Sequence, residues 1–122
     1  LMLTKKKIPF INENQNMKKA LKIINLKRLG FLVVINNQGI TMGVFTDGDL
    51  KRLMQKKRKI ENIKIKSFMT KNPFKVEENT LASDVLSLMN KKKITNVCVY
   101  KKENKKKTIG VLSIHHLLNN LR

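Results

Sequence analysis

Thr46 and Asp49, three residues apart in Gly43-Val44-Phe45-Thr46-Asp47-Gly48-Asp49-Leu50, are the side chains best placed to do chemistry in this sequence. A carboxylate at Asp49 is able to accept hydrogen bonds from both hydroxyls of a ribose, and the Thr46 hydroxyl is able to face a phosphate or sugar oxygen. Both fall where an apolar run gives way to a helical pattern. Free N–H groups and the dipole at a helix start favour an anion there. Arg52, one turn on, would add a bidentate phosphate contact. The same spacing has a second reading. Thr46-x-x-Asp49 is a capping box, worth about 1 kcal/mol to a helix with no ligand at all. These residues by themselves leave both readings open.

Little else in the chain suggests catalysis. Cys98, the single cysteine, has no partner for a disulfide or a cysteine-based metal site. It lies in the apolar run Val97-Cys98-Val99-Tyr100 and reads as a small buried hydrophobe. This usage suits a reducing compartment, and a cytoplasmic location is expected. His115 and His116 are adjacent, and helical neighbours diverge by about 100°, unlike the i, i+4 ligands of zinc helices. No metal site is expected.

The elements that must position Thr46 and Asp49 occur twice. Met17, Ala20, Leu21 and Ile24 form one apolar helical stripe, and Leu81, Val85, Leu88 and Met89 form another, with Thr80 as the expected N-cap of the second helix. An apolar run follows each helix, Phe31 to Ile35 and Val97 to Tyr100, as expected for strands covered on both faces. Second strands are expected over Ile40 to Phe45 and Thr108 to Leu112, and closing helices over Asp47 to Gln55 and Ile114 to Leu121. Laid over each other, the halves pair Leu21 with Leu86 and Val34 with Val99, then Gly43-Val44-Phe45-Thr46 with Gly110-Val111-Leu112-Ser113. The two extra residues of the second copy fall in Lys101 to Lys107, where a hairpin absorbs them. Ile8-Pro9-Phe10 echoes Asn72-Pro73-Phe74. The fold class is therefore α/β (α+β): two β-α-β-β-α repeats, residues 1–55 and 67–122, joined by a linker at 56–66. One such repeat is marginal alone. Two related by a pseudo-two-fold axis would cover each other's sheets and leave two equivalent clefts suited to ligands.

The charge is extreme: 27 Lys+Arg against 8 Asp+Glu, a net +19 over 122 residues. Such an excess attracts phosphate polymers. Here it is nearly all lysine, spread over element ends and turns (Lys5-Lys6-Lys7, Lys56-Lys57, Lys91-Lys92-Lys93, Lys105-Lys106-Lys107). One tyrosine and no tryptophan leave few stacking platforms for bases. Nucleic acid is kept as the alternative partner, not the expected one. No apolar run approaches the roughly 18 residues of a membrane span, and no signal-peptide pattern is visible. A chain opening on Leu1-Met2 reads as a piece of something longer.

The phrase Gly43 to Leu50, in this duplicated architecture, resembles the CBS (cystathionine β-synthase) domain pair, or Bateman module. That family's pattern is glycine, two apolar residues, Ser/Thr, two variable residues, then Asp and Leu/Ile. Gly-Val-Phe-Thr-Asp-Gly-Asp-Leu-Lys-Arg, Lys-Ile-Thr-Asn-Val and Gly-Val-Leu-Ser-Ile-His-His-Leu-Leu are further similar to the C-terminal region of bacterial arabinose-5-phosphate isomerases, as are Met2-Leu3-Thr4 and Ile8-Pro9. The resemblance implies a regulatory module without isomerase activity, whose N-terminal sugar-isomerase (SIS) domain serves synthesis of Kdo for lipopolysaccharide. It implies a nucleotide or nucleotide-sugar ligand, CMP-Kdo or an AMP-like nucleotide, with no required cofactor, and a homodimer of CBS pairs. A purely structural, dimerising module is the remaining alternative.

By the same resemblance, a cleft holding Val44, Thr46, Asp49 and Arg52 is completed by Pro73, Phe74, Lys75, Thr95, Asn96 and Cys98. Phe74 would flank a base there or, equally well, pack in the core. The second cleft, with Pro9, Phe10 and Ser113, departs from the pattern because His116 stands at the aspartate position. A neutral imidazole offers one acceptor, not a carboxylate pair, so a weakened site is expected. Below its usual pKa of about 6.5, His116 would instead pair with phosphate.

Overall fold

The computed structural model describes residues 8–27, 30–56 and 59–119, without the side chains of 25–27 and 116. They form two compact units, one within residues 9–73 and one within residues 74–119 together with Ile8. In the first unit β1 (Phe10–Asn12), α1 (Met17–Lys27), β2 (Phe31–Ile35), β3 (Thr41–Thr46) and α2 (Asp47–Lys56) follow the expected β-α-β-β-α order. The second repeats it with β5 (Lys75–Glu77), α3 (Ala82–Lys92), β6 (Asn96–Lys101), β7 (Asn104–Ser113) and α4 (Ile114–Asn119). In each, a parallel pair (β1 with β2, β5 with β6) continues into an antiparallel one (β2 with β3, β6 with β7).

The helical stripes fill the cores. Met17 and Ala20 pack with Leu32, Val34, Phe45 and Leu53 in the first unit, and Val85 and Met89 with Val76, Val97, Val99 and Leu117 in the second. The duplication extends to an irregularity. Val34 faces Gly43 while Ile35 faces Thr41, and Val99 faces Gly110 while Tyr100 faces Thr108. The same one-residue bulge thus sits at the same place in both copies.

Several expectations need correcting. The entry strands align one residue later than the Pro-Phe echo suggests. Val33 N–H donates to the Pro9 carbonyl and Cys98 N–H to the Phe74 carbonyl, so Phe74 corresponds to Pro9, and Lys75 to Phe10. Thr80 does not cap α3; the N-cap is Leu81, and it makes no side-chain cap bond. The Lys101–Lys107 loop is mostly strand, since a two-residue turn sets Lys101 opposite Asn104.

The joining segment belongs to the first unit's structure. Ile60 and Ile65 are buried in its core. The carbonyls of Ile63 and Glu61 accept the N–H groups of Met17 and Lys18, which α1 itself cannot satisfy. The chain then makes a 3-10 turn (Ile65–Ser67) and a two-residue strand, β4 (Thr70–Lys71), on the edge of β3. Residue 43 must be glycine for this, because a Cβ there would lie 2.5 Å from the Thr70 carbonyl oxygen.

Gly43→Ala is expected to push β4 off the sheet and cost about 1–3 kcal/mol, as overpacking does; amide exchange at Thr70 and Lys71 checks it, and unchanged protection would contradict it. In β6, burial pushes the Cys98 thiol up from 9.0 to about 11, partly offset by a hydrogen bond from Thr108 and the charge of Lys75. Because the folded value is the higher one, this contribution to stability is complete below pH 9 and fades as pH rises towards 11. At pH 8 the native thiol should resist a disulfide reagent that modifies the denatured chain at once; equal rates in the two states would contradict the burial.

Candidate functional site

Burying a carboxylate is costly unless donors replace its water. Asp49, 5% exposed, has three. As β3 ends, α2 begins with a formed capping box: Asp49 N–H donates to Thr46 Oγ1 (3.1 Å) and Thr46 N–H to Asp49 Oδ2 (2.9 Å). The Arg52 guanidinium pairs with Oδ1. The third donor is Thr70 of β4, whose hydroxyl lies 2.9 Å from Oδ1 and 3.1 Å from Oδ2. It thus sits across both carboxylate oxygens. Thr70, 21 residues away, is the site residue that motif reading misses. Its signal was Gly43, which marks a close backbone approach without saying by what.

Val44, Thr46, Asp49 and Arg52 therefore come together in the first unit. Val44 faces Val33 on one side and Thr70 on the other. Arg52, its side chain 64% exposed, is engaged with Asp49 instead of standing free for a ligand. Pro9 and Phe10 lie in the same unit, just before and at the start of β1, and Pro73 is the unit's last residue.

The remaining candidates gather at one end of the second unit's sheet. Lys75 faces Cys98, and Asn96 faces Ser113, a residue assigned to the other cleft. Asn96 Nδ2 donates to Thr95 Oγ1 (3.2 Å), and the Thr95 carbonyl accepts Ile114 N–H (2.8 Å), as Gly30 accepts Asp47 N–H (3.0 Å) in the first unit. Phe74 is 43% exposed, with the Lys92 ammonium 5.8 Å from its ring centroid, so its face is not simply core. Cys98 is 2% exposed and presents no thiol at a surface. The His116 side chain lies outside the described residues. Among them, no cluster of His, Cys, Asp or Glu suits a metal ion, and no helix is long and apolar enough to cross a membrane.

Comparison with known proteins agrees with this reading of the folds. The CBS domain family model matches residues 2–56 and again 65–122. Arabinose 5-phosphate isomerase KdsD of Yersinia pestis is 33% identical over 118 residues, covering 97% of this chain and 35% of that protein. The chain thus spans about a third of the length of the curated relatives it matches. The CBS domains of a transcriptional regulator from Streptococcus pneumoniae superpose with a TM-score of 0.83 at 21% identity, covering 98% of this chain and 94% of that one. The CBS-pair protein CBSX2 of Arabidopsis thaliana, in a crystal structure with AMP, superposes at 0.81 with 22% identity, covering 97% and 90%. With two family matches laid on two β-α-β-β-α units, the chain belongs to the CBS domain family as a tandem pair of its repeats.

Proposed function

We propose that this pair is the regulatory module of a sugar-phosphate isomerase of the arabinose-5-phosphate type, binding a nucleotide or nucleotide sugar at Asp49. The observation that carries the reading is a buried carboxylate at the start of α2, inside the Gly-x-x-Thr-x-x-Asp phrase. There, ribose hydroxyls are recognised by Asp49 and phosphate by Thr46, the helix start and Arg52. The similarity to KdsD supports the isomerase context, and the AMP complex of CBSX2 supports an adenosine nucleotide beside CMP-Kdo as ligand. Under this reading catalysis belongs to an SIS domain elsewhere in the protein, which is cytoplasmic and serves Kdo synthesis. The CBS pairs then associate as homodimers.

A second reading, a helix cap without a ligand, is favoured by the completed capping box. Thermal shift separates the two. A ligand at 100 times its Kd stabilises by about 2.7 kcal/mol, so AMP or CMP-Kdo should raise Tm by several degrees. Asp49→Asn should abolish that rise, because an amide offers one acceptor oxygen where the carboxylate offers two. No shift with either ligand would leave the cap alone. An RNA oligonucleotide that stabilises with a steep salt dependence would favour the basic-surface alternative.

Asp49→Ala is a poorer probe, since it strips acceptors from Thr46 N–H, Arg52 and Thr70 together. The apo protein should lose about 1–2 kcal/mol in urea unfolding; an unchanged midpoint would mean the network holds nothing.

A further inference from the structure

Resting on the reading of Asp49 as a ribose-binding carboxylate, we infer that Thr70 occupies the position a ribose diol would take, so that ligand and β4 compete for Asp49. An ionised carboxylate has about four acceptor positions. One is held by Thr46 N–H and one by Arg52, while the Thr70 hydroxyl bridges the two oxygens at 2.9 and 3.1 Å. A vicinal diol also addresses both oxygens of a carboxylate, one hydroxyl to each, from the side that Thr70 fills. With Asp49 only 5% exposed, there is no second open approach of that kind on the carboxylate.

The incumbents differ in how they can leave. Thr46 N–H is backbone, fixed by β3 and the capping box. Arg52 is long and mostly exposed, so it swings away without disturbing the fold and remains near enough to meet a phosphate. Thr70 is carried by a short side chain on a two-residue edge strand whose backbone lies tight against Gly43. Releasing its hydroxyl from the carboxylate removes a side-chain tie between β4 and α2 and leaves the strand held by its pairing with β3. That strand is a weak one: Thr70 and Lys71 are both exposed, and only Gly43 and Val44 pair with them. Asn72 follows it, and its φ of 54° turns the chain just before the second unit begins at Phe74. Occupancy at Asp49 is thereby converted into a change in the segment joining the repeats. Because coupling is reciprocal, whatever holds β4 in place weakens the ligand, and whatever frees it strengthens binding.

The experiment is calorimetric titration of AMP and of CMP into the wild-type chain, Thr70→Val and Asp49→Asn, with amide exchange over residues 68–72 of the wild type with and without nucleotide. Thr70→Val keeps the shape of an exposed residue and removes only the hydroxyl. It should tighten nucleotide binding by about tenfold, the worth of a hydrogen bond to a charged group that the ligand no longer has to break. In the wild type, nucleotide should speed exchange at Thr70 and Lys71, a readout that needs no variant. Binding that is lost in Asp49→Asn yet unchanged or weakened in Thr70→Val, with β4 equally protected in both states, overturns the competition and leaves the ribose site standing. Absence of binding by either nucleotide to any of the three chains removes the site and the competition together.

Discussion

One buried carboxylate ties together elements that are far apart in the chain. Ionised groups are almost never fully buried unless paired, because the lost hydration costs several kcal/mol. Asp49 is tolerated at 5% exposure because three donors from three places replace its water: the end of β3, the second turn of α2, and β4. The geometry around it follows from that need. Glycine at 43 lets β4 approach, and β4 itself exists only as a two-residue edge beside this point. No buried side-chain polar atom among the described residues lacks a partner, so the network is closed without a ligand.

The duplication supplies an internal comparison. Both copies keep the parallel entry strand, the one-residue bulge opposite Ile35 or Tyr100, a buried threonine at 41 or 108, and the bond from the start of the last helix back to residue 30 or 95. These are requirements of the scaffold. What differs is local. The first copy turns between its middle strands on uncharged Asn36-Asn37-Gln38-Gly39, where Asn36 Oδ1 accepts the N–H groups of Gln38 and Ile40. The second turns on a lysine-rich ribbon, with Lys105 lying over the Tyr100 ring. The first copy has Asp49 where the second has His116. The frame is shared and the ends diverge.

The frame was legible because periodicity reports burial directly. Apolar residues at helical spacing marked α1 and α3, and continuous apolar runs marked β2 and β6. Thr46, Asp49 and Arg52 were legible too, since a capping box is a local pattern. The failures have a common cause. β4 is short, polar and exposed, so it carries no periodic signal and is recruited by the edge of β3. The Pro-Phe echo misaligned the entry strands because residue identity suggested one register while backbone hydrogen bonds to Val33 and Cys98 set another. Thr80 was a good capping residue one position too early. Ile60 and Ile65 sit among lysines and polar residues, too isolated to announce that the joining segment is part of a core.

A capping box does not bar a ligand from the same carboxylate, because the donors that satisfy it are bonds a ligand would exchange. An unoccupied site that left Asp49 without donors would raise the energy of the apo protein, and that energy would reappear as affinity, giving a ligand that rarely leaves. A carboxylate already satisfied by its own chain reverses this. Under the proposed reading a ligand would gain only the difference between its hydrogen bonds and those it displaces, so occupancy would follow concentration and the displaced groups would carry the signal. A ligand shifts a conformational equilibrium only by its differential affinity for the two states. Thr70 holds the carboxylate in this structure; under the proposed competition it would release it to a ligand, and would then be a direct physical source of such a difference.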